Sequence, residues 1–367
     1  MSTVILSLLI VSAMAAFLAL LLEIADMYIA DYGECHILVN EEKDLVVRGG
    51  SPLFFSLMEH GIFIPSACGG KGTCSYCKVK VLEGGGPILP TETPYLSAEE
   101  QEAGVRLSCQ VKVRNDVKIE IPEELFNIKE YKVRVHDRGR LTEVIKDVRL
   151  EILDPPEGIK FKPGQYIQLQ VPAYELSKTT DFRAFSIASP ADEHDHVDLM
   201  ITRAPEGLVA LYVHDYMKDG EELVMRGPFG DFYYREGDRE MILIATGSGL
   251  APIRSILHHM ERNNVQRKAT LFFGGRTEAD LIHREQLEEL ENKLYDFKYV
   301  PILSNIPDDD PWPGERGYIP PAVEKYIGDI PSVDAYLCGA PIVVEICDKA
   351  LVEKGLTKDH IFYDKFA

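Results

Sequence analysis

Positive charge is scarce in this chain and missing from its start. Lys and Arg number 39 against 59 Asp and Glu, a formal net charge of −20, and no Lys or Arg precedes Lys43. A nucleic-acid partner is excluded, because phosphates want a basic face. The lack of a basic leader also counts against a secretory signal peptide. There is no internal repeat and no long low-complexity tract. Of the seven cysteines, Cys35, Cys338 and Cys347 are scattered singly. That pattern excludes a secreted disulfide framework and indicates a reducing compartment. The G-x-G-x-x-G fingerprint is absent, and only one C-x-x-C is present.

Where charge is missing, apolar residues take its place. From Thr3 to Leu22 Val, Ile, Leu, Ala, Met and Phe dominate and nothing is charged. Roughly twenty helical residues span a hydrocarbon core, so residues 1–23 read as a transmembrane anchor. A signal peptide and a buried globular helix are the competing readings. The flanking charges are Glu23, Asp26, Asp31 and Glu34, so the positive-inside rule has nothing to act on.

The stretch that organises the chain holds Cys68, Cys74 and Cys77 in the pattern C-x5-C-x2-C, with Cys109 following in Arg106-Leu107-Ser108-Cys109-Gln110. Four thiolates can hold two irons with two bridging sulfides. The glycines between the first two cysteines suit a loop that needs positive φ and N–H groups aimed at sulfur. A structural zinc site or two disulfides are the alternatives, and the single C-x-x-C counts against zinc.

Around this loop, residues 34–128 alternate as short strands (Cys35–Asn40, Leu45–Arg48, Lys78–Leu82, Val111–Val113, Val117–Ile121), with helices from Ser51 to His60 and from Leu96. In the helix at Ser51, Pro52 takes the first turn. This predicts a β-rich, ferredoxin-like cluster domain. Residues 129–236 alternate with the strand period and predict a small antiparallel barrel. Its one helical stretch is Leu208–Tyr216. Residues 237–367 alternate strand and helix and predict an open parallel α/β sheet, which binds ligands at the carboxyl ends of its strands.

Three short motifs carry chemistry. Arg183-Ala184-Phe185-Ser186 offers an arginine fork for a pyrophosphate, an aromatic ring for a flat isoalloxazine and a hydroxyl for its edge. Thr246-Gly247-Ser248-Gly249 follows a buried strand and opens a helix, as a dinucleotide phosphate site or as a plain glycine turn. Cys338-Gly339-Ala340-Pro341 ends another strand, with Cys338 facing a nicotinamide or simply a small buried thiol.

In order, F-K-P-G-Q-Y, R-A-F-S, G-P-F-G-D-F, T-G-S-G-L-A-P and C-G-A-P resemble the ferredoxin–NADP reductase-type flavoprotein superfamily. With a cluster domain ahead of them, the chain is similar to oxygenase reductases. It is closer still to the NADH-oxidising subunits of bacterial sodium-translocating NADH:quinone oxidoreductases. Those share the C-x5-C-x2-C loop, the R-L-x-C-Q context, the N-terminal helix and an ending like Tyr363-Asp364-Lys365-Phe366-Ala367. The resemblance implies a 2Fe–2S cluster on Cys68, Cys74, Cys77 and Cys109. It implies FAD held by Arg183, Ala184, Phe185 and Ser186, with Met200, Ile201 and Thr202 nearby and Gly207, Leu208, Val209 and Ala210 along its pyrophosphate. It implies NADH flanked by Thr246, Gly247, Gly249, Ala251, Pro252, Gly275, Arg276, Cys338 and Gly339. Ser186, Cys338 and Phe366 are the expected catalytic residues, with Phe366 stacked on the flavin.

The implied function is a membrane-anchored NADH dehydrogenase subunit. It would pass a hydride from NADH to FAD and then single electrons to the cluster. From there they would go to other subunits of a quinone-reducing membrane complex of the sodium-translocating kind. NADH places the soluble domains in the cytoplasm, at the inner membrane. The alternative is a reductase component feeding an oxygenase. Glu278 and Asp280 beside Arg276 favour NADH over NADPH. Phe185 and Ala210 replace the family's usual Tyr and Ser or Thr, removing two hydrogen bonds worth about 1 kcal/mol each. The chain is also short between Pro172 and Arg183, where the family carries an insertion.

Overall fold

The computed structural model describes residues 2–29, 32–307 and 309–365, with side chains left undescribed at residues 2–4, 22–29 and 365. The chain divides into two compact units, residues 1–66 with 70–127, and residues 128–367 with 67–69.

The first unit begins with helix α1 (Ser2–Ile29). Its described side chains, residues 5–21, are exposed. Among the described residues no helix is long and apolar enough to cross a membrane.

Strands β1 (Glu34–Val39) and β2 (Lys43–Arg48) form an antiparallel hairpin. Helix α2 (Leu53–Glu59) follows, then β3 (Lys78–Glu83), α3 (Ala98–Glu102), β4 (Val105–Leu107) and β5 (Val117–Glu120). The sheet order is β2-β1-β5-β3-β4, with β1 and β5 parallel. Ser97 caps α3 in a capping box with Glu100.

Two local expectations change. Pro52 is the N-cap of α2 and not part of its first turn. Val111–Val113 forms no sheet strand; only an isolated bridge joins Lys112 to Pro52. The reason is where its backbone groups go. Val111 O accepts from Leu53 N at 2.7 Å, Ser108 O accepts from Phe54 N at 3.0 Å, and Val113 N donates to Ser51 O at 3.0 Å. Proline offers no side-chain cap, so the carbonyls on either side of Cys109 satisfy the first donors of α2. That fixes the cysteine against a helix start.

The second unit opens with β6 (Lys129–Arg140), β7 (Ile145–Asp154), β8 (Tyr166–Val171), β9 (Asp181–Ser186) and β10 (His196–Thr202). Next come α4 (Leu208–Leu211), a π-helical turn at Tyr212–Tyr216, and β11 (Glu222–Phe229). The antiparallel order is β10-β7-β6-β11-β8-β9, and a bridge between Ile187 and Leu199 closes the two edges into a barrel. Val133, Val135, Leu150, Ile167, Leu169 and Ile201 fill its interior.

The remaining elements are β12 (Glu240–Thr246), α5 (Leu250–Arg262), β13 (Ala269–Gly275), α6 (Arg284–Leu290), β14 (Phe297–Leu303) and β15 (Glu315–Arg316). They continue with α7 (Ile319–Tyr326), β16 (Val333–Gly339), α8 (Pro341–Glu353) and β17 (Ile361–Lys365). All six strands are parallel, in the order β15-β14-β13-β12-β16-β17, with a core on each face. The chain walks outward from β12 to β15 and then returns to the other side of β12. The topological switch point therefore lies between β12 and β16, where such sheets bind ligands. Their carboxyl ends are Thr246 and Gly339.

Candidate active site

At the switch point two glycine turns interlock. A Cβ on Gly249 would stand 2.4 Å from Cys338 O, and one on Gly339, whose φ is +139°, would stand 2.3 Å from Thr246 Oγ1. Glycine is required at both places for the turns to meet. Thr246 Oγ1 accepts from Ala340 N at 3.3 Å. Ala251 and Pro252, in the first turn of α5, are buried.

The barrel reaches the same edge. Thr202 Oγ1 and Ser248 Oγ are 2.6 Å apart, tying β10 to the first glycine turn. Ser186 Oγ, at the end of β9, lies 3.3 Å from Asp364 Oδ2 on β17. Asp364 is itself the register partner of Cys338 in the parallel pairing of β16 with β17. Burial, then the Asp364 carboxylate, push the Cys338 thiol well above its ordinary range. It is a neutral, 1 % exposed thiol, suited to packing and weak hydrogen bonding and unsuited to thiolate attack. Asp364 lies in the Y-D-K-F-A ending, yet no sequence signal singled it out. Phe366, the expected flavin-stacking residue, lies outside the described residues.

On the flavin side, Arg183, Ala184, Phe185 and Ser186 pair with Leu169, Gln168, Ile167 and Tyr166. Arg183 is half-buried, with Nη1 donating to Phe182 O at 2.7 Å. Met200 and Ile201 are buried on opposite faces of β10, Met200 in the α/β core and Ile201 in the barrel. Gly207 is the N-cap of α4, so the first-turn N–H groups have no partner within the helix. Val209 and Ala210 face the barrel core. Of the four residues expected along the pyrophosphate, only Gly207 and Leu208 keep partial exposure. These donors and the arginine fork fit a pyrophosphate.

Gly275 ends β13 and Arg276 is exposed beyond it. The acids expected to repel a 2′-phosphate are committed elsewhere. Asp280 Oδ2 accepts from Arg276 N at 3.0 Å and Thr277 N at 2.9 Å, and Glu278 Oε2 accepts from Arg284 Nη1 at 2.9 Å. A carboxylate offset by an arginine repels a phosphate weakly, so Glu278 does less to select NADH over NADPH than its charge alone suggests, whereas the bonds to Asp280 come from neutral groups.

In the first unit, Cys77 and Cys109 are buried and their Sγ atoms lie 3.2 Å apart. Two thiolates on one tetrahedral metal with bonds of about 2.3 Å stand roughly 3.8 Å apart, so this pair would open by about half an ångström to share one iron. Cys68 and Cys74 are half-buried. Among the described residues no group of three or more Cys, His, Asp or Glu side chains could hold a metal ion as it stands. The structure therefore brings two of the four expected ligands together. The bonds that draw four thiolates to one centre are the metal's own.

Family comparisons agree with this layout. Residues 37–114 match the 2Fe-2S iron-sulfur cluster binding domain, residues 132–234 the oxidoreductase FAD-binding domain and residues 243–349 the oxidoreductase NAD-binding domain. The chain is thus a flavin- and iron–sulfur-dependent oxidoreductase of the ferredoxin-reductase class. Among solved structures, the Amycolatopsis cytochrome P450 reductase GcoB is 27% identical, with a TM-score of 0.73 over 90% of this chain and 98% of that one. The ferredoxin reductase in carbazole 1,9a-dioxygenase is 25% identical, with a TM-score of 0.70 over 91% and 99%.

The relatives narrow the class. The F-subunit of the Na(+)-translocating NADH-quinone reductase of Neisseria meningitidis is 33% identical over 99% of both chains, and that of Marinomonas sp. is 32% identical over 91% of both. The chain belongs to the F-subunit family of Na(+)-translocating NADH-quinone reductases. Its cofactors are a 2Fe–2S cluster, FAD and NADH.

Proposed function

We propose that this chain is the membrane-anchored, NADH-oxidising subunit of a quinone-reducing complex. α1 would be its single-pass anchor in the inner membrane, and the remaining domains would lie in the cytoplasm. One observation carries the reading. The barrel strands bearing the flavin motif and the two glycine turns of the nicotinamide sheet converge through Ser186–Asp364 at 3.3 Å and Thr202–Ser248 at 2.6 Å. A flavin edge and a nicotinamide would be held at that junction.

Together the three cofactors supply the conversion of a two-electron hydride donor into single electrons. The residues supply placement. Arg183 and the N–H groups after Gly207 hold a pyrophosphate without a metal. Gly247 and Gly249 let a second dinucleotide approach the start of α5. Ser186, oriented by Asp364, offers a hydroxyl to the flavin edge, and the buried Cys338 would back the nicotinamide from within the sheet core. Cys68, Cys74, Cys77 and Cys109 bind the cluster. Partner subunits would take the electrons onward, and any sodium coupling would lie in them, since one helix encloses no ion path.

An anaerobic NADH titration of the detergent-solubilised protein, read by optical and low-temperature EPR spectra, tests the path. Bleaching of a flavin band with a reduced 2Fe–2S signal is expected. Flavin bleaching with a silent cluster would overturn it.

A second reading, a reductase that feeds an oxygenase, draws on the two solved reductases. The N-terminal helix separates the two. Removing residues 1–23 should leave NADH-dependent dye reduction intact and abolish quinone reduction in membranes. Quinone reduction that survives the deletion would count against the membrane-anchored reading.

A further inference from the structure

The cluster unit holds a buried ion pair that belongs to none of the cofactor motifs. Glu92 is 0% exposed and Arg106 4%. Arg106 donates from Nε to Glu92 Oε1 at 2.9 Å and from Nη2 to Oε2 at 2.6 Å. Its remaining donors reach Gly85 O, Gly86 O and Pro87 O at 2.9–3.0 Å. Glu92 also accepts from Leu89 N at 2.9 Å and Leu107 N at 3.0 Å. The pair is fully satisfied, which is what makes a buried charge tolerable. It clamps the Gly84–Glu92 loop onto β4, two residues ahead of Cys109.

The clamp positions the neighbour of Glu92. Thr91 Oγ1 donates to Gln110 Oε1 at 3.0 Å. With its oxygen so engaged, the Gln110 amide turns its nitrogen inward, and Nε2 stands 3.7 Å from Cys109 Sγ, within reach of a weak N–H···S contact. The loop leaves room for it. A Cβ on Gly72, whose φ is +77°, would stand 2.5 Å from Gln110 Nε2. Three separate segments thus converge on one amide pointed at one sulfur.

Building on the assignment of Cys109 as a cluster ligand, we infer that Gln110, oriented by Thr91 and admitted by Gly72, is a positioning residue that donates a hydrogen bond to the Cys109 thiolate and raises the cluster's reduction potential. The physical reason is charge. Reduction adds an electron to the cluster and makes its thiolates stronger acceptors, so a fixed N–H donor stabilises the reduced form more than the oxidised one. Thr91 acts one bond further out. Holding the amide oxygen stops the amide from flipping and presenting that oxygen to the sulfur.

The test uses the full-length, cluster-loaded protein and an EPR-monitored redox titration. Gln110→Leu keeps the volume and removes the donor. It should lower the reduced-to-oxidised ratio at the wild-type midpoint about tenfold, a downward shift of ~59 mV for one electron. Thr91→Val should shift the potential the same way by less, Thr91→Ser should leave it in place, and Thr91→Val should add nothing in the Gln110→Leu background. Should Gln110→Leu fail to keep its cluster, the contrast between Thr91→Val and Thr91→Ser decides alone. An unchanged midpoint in both Gln110→Leu and Thr91→Val, with the EPR signal intact, would overturn the inference and leave the cluster assignment standing. A wild-type protein with no 2Fe–2S signal would remove both.

Discussion

Ser186 Oγ and Asp364 Oδ2 meet at 3.3 Å across 178 residues of sequence. The contact joins the last residue of a barrel strand to the last parallel strand of the nicotinamide sheet. If Asp364 orients Ser186 for the flavin edge, Asp364→Asn should slow NADH-dependent flavin bleaching in stopped flow by about tenfold, roughly 1.4 kcal/mol. Ser186→Ala should cost a similar amount, and the double variant little more than either. A double variant whose loss equals the product of the single losses would show that the two act separately.

The acid side of the stability profile should be set by two histidines. Burial first, then Arg254, hold both His258 and His283 at about 4, against an ordinary 6.5. Their folded values are depressed, so the folded state binds fewer protons than the unfolded chain between those limits. Their contribution is therefore present above pH 6.5 and lost as the pH falls toward 4, by about 3 kcal/mol each. Thermal unfolding from pH 7 to pH 4 should show a steep fall in Tm that His258→Gln with His283→Gln flattens. An equal slope in that double variant would locate the acid sensitivity elsewhere.

The clamp between Glu92 and Arg106 makes a sharp stability prediction. Burial would raise the Glu92 carboxyl, but bonds from Arg106, Leu89 N and Leu107 N hold it below its usual range. Glu92→Gln leaves a buried guanidinium without its counter-charge and should cost about 3 kcal/mol in denaturant unfolding. Glu92→Gln with Arg106→Met should recover part of that loss, because removing both charges is less costly than stranding one.

Phe185 stands where the family usually carries Tyr. Restoring the hydroxyl with Phe185→Tyr should tighten FAD binding about fivefold, near 1 kcal/mol, in a fluorescence titration of the apoprotein. Ala210→Ser should behave differently. Ala210 packs in the barrel core, so an added hydroxyl would be desolvated there, and FAD affinity should stay level or fall.

Local patterns in the sequence carry much of this protein. The cysteine spacing, the period-two strands of the barrel, the alternation of strand and helix after Glu240 and the two glycine turns are each legible from residue type and spacing along the chain. The sequence could not supply the partners. Asp364 faces Ser186 because β17 joins the parallel sheet beside β16, and hydrophobic period does not encode strand order. Gln110 is read as a donor because Thr91 reaches its oxygen, 19 positions away. Glu278 and Asp280 look like free acids until the fold gives one an arginine and the other two backbone N–H groups. A residue's type and spacing fix which interactions it can make, whereas its actual partner depends on which distant segment the packed chain brings within hydrogen-bonding distance.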